Sequence, residues 1–241
     1  MEYAERGDLA VAMQQRRNGN LKYKEVELWA LFRILCGAVK HLHDNQIIHR
    51  DIKLENIFVM RDNTVKLGDL GLSKILESKS ELTHQRVGTP IYFAPELIQH
   101  LPYSFPIDVW ALGCVFYHLM NLSHPFEGAT LETLAHIVLH RGPAPPKNCI
   151  YSAQLVKWIM ELMDRNPVTR PDIDKVIRGI DLAELGETRN RVSVYNPKIL
   201  SSIVVDQATT KDKGYEQNLY SKGEESLTVA YKRMKIRGSI K

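Results

Sequence analysis

The stretch "IIHRDIKLENIF" gathers chemically useful side chains into twelve consecutive positions. Asp51 follows His49 and Arg50 directly, and Lys53 and Asn56 come at offsets of two and five. A carboxylate held beside a hydroxyl can orient it and take its proton. A lysine close by can neutralise charge on an anionic group. Asn56, with Asp69 thirteen residues beyond it, offers the hard oxygen ligands that magnesium requires. Each residue alone reads as a cap or a turn, and His49-Arg50-Asp51 by itself could be a surface turn with a salt bridge. As a set they supply a base, a cation and two metal-ligand oxygens.

These residues need elements to hold them. The loop lies between a strand-like Ile47-Ile48 pair and a hairpin, Ile57 to Met60 and Val65 to Leu67, turned at Asp62-Asn63. Upstream, Arg6-Gly7-Asp8 reads as a turn into a helical run. Val26, Trp29, Leu31, Phe32, Leu35, Ala38, Val39 and Leu42 then recur at three- and four-residue steps, which predicts a long amphipathic helix. Ser73 to Gln85 is polar and reads as a loop. Pro106 opens a strongly apolar helix through Met120, since proline suits the first helical position. Further helices are expected over Leu131–Leu139, Ser152–Met163 and Asp172–Ile180. Residues 1–180 are therefore mainly α with one small hairpin. Residues 181–241 lose apolar periodicity and read as a C-terminal extension, disordered towards its end.

Further motifs extend the pattern. "KLGDLG" leaves the hairpin and carries Asp69, "APE" ends at Glu96, and "DVWALG" begins at Asp108. With H-R-D-x-K-x-x-N before them, their order and spacing resemble those of eukaryotic protein kinases. The "GDLG" in place of D-F-G, the "NIF" after the catalytic loop and "VGTPIYFAPE" are most similar to the NIMA-related serine/threonine kinases. The resemblance covers residues 1 to about 180. It implies the helical C-terminal lobe of a kinase, ATP and magnesium as cofactors, and a protein Ser or Thr as phosphate acceptor. By that match Asp51 is the base, and Lys53 neutralises charge on the moving phosphoryl group. Asn56 and Asp69 hold the metal, and Phe58 floors the adenine. Thr89 stands beside Asp51 and the incoming substrate. Glu96 and Arg170 form an ion pair that pins the activation segment, and Asp108 accepts hydrogen bonds from the catalytic-loop backbone.

The opening "MEYAERGDL" resembles the hinge between kinase lobes, with Met1 as gatekeeper. The Glu2 carbonyl and Ala4 amide would then face the adenine edge, and Asp8 the ribose. No G-x-G-x-x-G loop or V-A-I-K lysine occurs in the chain, so the expected fold is a C-terminal lobe with the N-terminal lobe absent. An internal Met read as the start would account for this. Two readings stay open: a serine/threonine kinase whose other lobe lies upstream, or a short, non-catalytic lobe that binds other proteins. Two departures from the resemblance matter. Leu70 stands where Phe is usual and should still pack. Gln85 stands where NIMA-related kinases commonly carry a phosphorylatable residue. Arg50 is the cation that a loop phosphate would engage, and Thr83 is the best remaining acceptor, with Ser80 and Ser78 next.

Bulk properties narrow the class. The chain has 241 residues, of which 44% are apolar, enough for a sizeable core. Residues 211–241 carry eight Lys or Arg against four Asp or Glu, which accounts for the whole net charge of +4. The remainder is neutral, which argues against a nucleic-acid-binding surface. The basic end reads as a solvated charge run, with contact to acidic surfaces or an import signal as the alternative. No apolar run reaches the ~18 residues of a membrane span. Cys36, Cys114 and Cys149 form no C-x-x-C pair, so buried, reduced thiols in a cytoplasmic or nuclear protein are expected.

Overall fold

A computed structural model describes residues 4–146 and 149–187. Glu2 and the extension beyond Glu187 lie outside the described residues. That region holds seven α-helices and two small, two-stranded antiparallel sheets. Helix α1 (Leu9–Asn18) begins at Asp8, whose side chain accepts from the Val11 amide at 2.9 Å. That bond satisfies one of the donors a helix start leaves open. Helix α2 (Glu25–Asp44) buries Leu31, Phe32, Leu35 and Val39 of the expected apolar stripe together with Leu28, which was not read into it, while Val26 is exposed.

The catalytic-loop motif follows strand β1 (Ile47–Ile48) and precedes β2 (Ile57–Val59), which pairs with β3 (Val65–Leu67). The turn falls where expected, with Asn63 in the left-handed region and Asp62 capping the Thr64 amide at 2.9 Å. One strand was not legible. The polar stretch read as a loop contains β4 (Lys74–Ile75), which pairs with β1 to form the second sheet. Two-residue strands have no period to detect.

The short helix α3 (Pro95–Ile98) leads to α4 (Pro106–Asn121), which is buried nearly all round. A helix apolar on every face must lie inside the fold, and α4 does so. It packs on α2 and on α6 (Ala153–Leu162), and α2 also packs on α7 (Ile173–Glu187). Phe32 and Phe116 meet edge-to-face at 4.8 Å, and Trp110 stacks on Phe126 at 5.4 Å. Helix α5 (Leu131–His140) begins at a capping box between Thr130 and Thr133. Helix α7 runs on to Glu187, past the Ile180 boundary expected from composition. No helix among the described residues is long and apolar enough to cross a membrane. Cys36 and Cys114 are buried as expected, but Cys149 is exposed, because it sits in the loop before α6.

Candidate active site

The site begins at the N-terminal turn of α4. Asp108 is buried there, and its carboxylate accepts from the backbone amides of His49 at 2.9 Å and Arg50 at 3.0 Å. His43, from the last turn of α2, completes the set at 2.9 Å. Burial pushes the Asp108 carboxyl up. The hydrogen bond and charge of His43, the charge of His49 and the Arg50 amide outweigh it and hold the group below the usual carboxylate range. The catalytic loop thus hangs from the central helix. His49 secures the next turn, its Nε2 lying 3.0 Å from the Gly68 carbonyl.

From this support Asp51, itself buried, meets its neighbours. Thr89 Oγ1 donates to Asp51 Oδ1 at 2.7 Å and accepts from Lys53 Nζ at 3.0 Å. Lys53 Nζ also lies 3.1 Å from Asp51 Oδ2. Asn56 Nδ2 donates to the Asp51 carbonyl at 2.8 Å and to Oδ2 at 3.0 Å. Four side chains expected from the motif therefore form one hydrogen-bonded set. Thr89 can come this close because Gly88 precedes it. Gly88 has φ +105°, and a Cβ there would meet the Arg50 carbonyl at 2.4 Å.

The hairpin brings Asn56 and Asp69, the two residues expected to offer oxygen ligands, to one end. The Gly68 amide donates to the Asn56 carbonyl at 2.9 Å, so Asp69 stands one residue from the Asn56 pairing position. Asp69 has φ +60° and exposes its carboxylate, one oxygen of which accepts from the Gly71 amide. Asn56 turns its amide nitrogen to Asp51, so Oδ1 is the atom it would offer to a metal. No group of three His, Cys, Asp or Glu among the described residues is placed to hold a metal. One carboxylate and one amide oxygen suit magnesium, which is commonly shared between few protein ligands and substrate phosphates.

Asp8 and Phe58, two of the residues expected on the nucleotide side, come together. The Gly7 carbonyl accepts from the Val59 amide at 2.9 Å, and Asp8 bridges to Phe58. Residues fifty positions apart in the sequence thus share one ledge, with Ala4 four residues before Asp8. Gly68 leaves room for the Phe58 ring, since a Cβ would meet it at 2.9 Å. At the far end, Arg170 grips Glu96 with two hydrogen bonds of 2.7 and 3.0 Å.

The protein kinase domain family matches residues 1–179. The chain belongs to the protein kinase family. Serine/threonine-protein kinase Nek1 of Mus musculus is 38% identical to it over 177 residues, 73% of this chain and 14% of that protein. Serine/threonine-protein kinase Nek4 of Mus musculus is 34% identical over 178 residues, 74% of this chain and 22% of its own length. Serine/threonine-protein kinase Nek8 of Danio rerio is 39% identical over 178 residues, 73% and 25% respectively. The chain spans a quarter or less of these relatives.

Two expectations for this kinase segment change. Thr83, expected as a phosphate acceptor, is only 5% exposed. Its backbone pairs in both directions with Tyr103, at 2.9 and 3.0 Å, so the bridge must open before an enzyme could reach the hydroxyl. Leu70, expected to pack, is 50% exposed on the turn after Asp69. Arg50 does reach the activation segment, where its partners are the Leu72 and Ser73 carbonyls and the Gln85 side chain. Sequence reasoning missed His43 as a partner of Asp108. The signal was a histidine four residues after Val39, continuing an apolar stripe where a solvated residue would not be placed.

Proposed function

We propose that this chain is the catalytic part of a NIMA-related serine/threonine kinase that moves the terminal phosphoryl group of ATP to protein Ser or Thr. The observation that carries this reading is the hydrogen-bonded set of Asp51, Lys53, Asn56 and Thr89. Asn56 and Asp69 would hold magnesium, which when bound draws charge from the phosphates. Asp51 orients the acceptor hydroxyl and takes its proton as the new bond to phosphorus forms. Lys53 offsets negative charge beside it, and Thr89 holds the two together. Lys53 supports an aliphatic hydroxyl acceptor, in keeping with the serine/threonine activity named for the Nek relatives.

The test is to join residues 1–241 to the nucleotide-covering lobe of a Nek relative and supply labelled Mg-ATP with a mixed peptide library. Label should appear in phosphoserine and phosphothreonine. Label in phosphotyrosine alone would refute the acceptor class.

The 241-residue polypeptide by itself should bind Mg-ATP poorly, since it holds no Gly-rich loop and no V-A-I-K lysine. Leaving one adenine face of ~100 Å² in water forfeits about 2.5 kcal/mol at ~25 cal/mol/Å². That is roughly 70-fold in affinity. From ordinary KM values of ~1 μM to 1 mM, this loss alone puts Kd at roughly 70 μM to 70 mM, and the lost phosphate contacts raise it further. Calorimetric titration measures it. A Kd of a few micromolar or less would show that the missing elements are not needed.

A further inference from the structure

We propose that the segment between Asp69 and Thr89 anchors itself, with Gln85 and Glu81 as positioning residues for Arg50 and Lys74, and so reaches its working geometry without a phosphate. The inference rests on the kinase reading for its consequence and on geometry for its substance.

Arg50 has φ +70°, which turns its side chain across the loop. Its guanidinium donates from Nε to the Leu72 carbonyl, from one terminal nitrogen to the Ser73 carbonyl at 3.4 Å, and from the other to Gln85 Oε1 at 3.1 Å. All three nitrogens are engaged. The contacts tie the beginning of the segment to its end, across 22 to 35 residues of separation from Arg50. A phosphate orders such a segment by forming charge-assisted bonds to a cation of this kind. Here a neutral amide oxygen takes that place.

Lys74, a cation within the segment, is also engaged. Its ammonium lies 2.8 Å from Glu81 Oε1, seven positions further on. The second Glu81 oxygen accepts from the Glu77 amide. The Lys74 hydrogen bond, then the Glu77 amide, hold the Glu81 carboxyl below its ordinary range.

The rest of the segment is fixed by bonds that need no modification. Leu76 donates to the Gln46 carbonyl at 2.8 Å. The Tyr103 hydroxyl donates to the Gln85 carbonyl, next to the Thr83 bridge. Thr83 is buried, and the exposed Ser78 and Ser80 hydroxyls bond each other at 3.1 Å. A phosphate on Ser80 would sit beside the Glu81 carboxylate and compete with it for Lys74.

Hydrogen exchange on the 241-residue chain tests this without ATP or catalysis, so it stands or falls apart from the kinase reading. Wild type, Gln85→Ala, Glu81→Gln and Gln85→Glu are treated with phosphatase, and full dephosphorylation is checked by mass. The readout is exchange of the Leu76, Glu77 and Thr83 amides relative to α4. Dephosphorylated wild type should stay as protected as untreated protein. Gln85→Ala and Glu81→Gln should each exchange about three- to tenfold faster, as loss of one exposed charge-assisted bond implies. Gln85→Glu should restore protection, because a carboxylate accepts the same bond from Arg50. Release of the segment on dephosphorylation would overturn the proposal, as would variants that exchange like wild type.

Discussion

Asp51→Asn should reduce phosphoryl transfer by roughly 10²–10⁴-fold while the protein stays folded. The fold should survive because the amide can be accommodated. Its nitrogen can face Thr89, whose hydroxyl is able to reverse direction and accept. Its oxygen can keep the Asn56 bond now 3.0 Å long and the Lys53 contact now at 3.1 Å. What disappears is the lone pair that takes the proton. The pair of measurements is turnover of a Ser/Thr peptide by the lobe-joined protein and its unfolding curve in urea. Stability should change by about 1 kcal/mol or less. Turnover within tenfold of wild type would remove Asp51 from the base role.

Arg170→Met should destabilise the fold by about 3–5 kcal/mol, the usual cost of leaving half of a buried ion pair behind. Arg170 has no exposed side-chain surface and Glu96 only 3%. The arginine also satisfies the Pro106 and Asp164 carbonyls, at 2.8 and 2.9 Å, and lies over the Trp110 ring. Methionine fills much of the volume and offers none of these donors. For a chain of this size the melting temperature should fall by roughly 6–20 °C. The double change Glu96→Leu with Arg170→Met should recover much of that loss, because no charge is then left unpaired. A single-variant loss under ~1 kcal/mol would mean that the buried carboxylate finds another partner.

The catalytic loop was legible because the chemistry fixes both residue type and spacing within twelve positions, so chance offers few imitations. Helix α2 was legible because it buries one face, which writes a period into the chain, and α4 because its run is apolar nearly throughout. Asp108 and Glu96 could be placed only by resemblance, since their partners lie 59 and 74 residues away. The fate of Thr83 was hidden for the same reason. Nothing near it marks a buried residue, and its bridge to Tyr103 closes from twenty positions further on. Lys74 and Glu81 lay in a run read as structureless because polar residues without periodicity look alike whether solvated or paired. The longer reach of α7 was missed because composition changes before the backbone does.

If Asp51 is the base, as proposed, its loop hangs by the His49 and Arg50 amides from Asp108 on a buried helix, not from the segments around it. Such a base would keep its place independently of those segments. Silence would then come from geometry left incomplete around it. Basal leakage becomes a matter of occupancy: the idle rate is the full rate multiplied by the fraction of molecules that happen to be aligned. An inhibitor that merely crowds the base would gain nothing from its rigidity. One that holds the surrounding segments apart would set the leak directly.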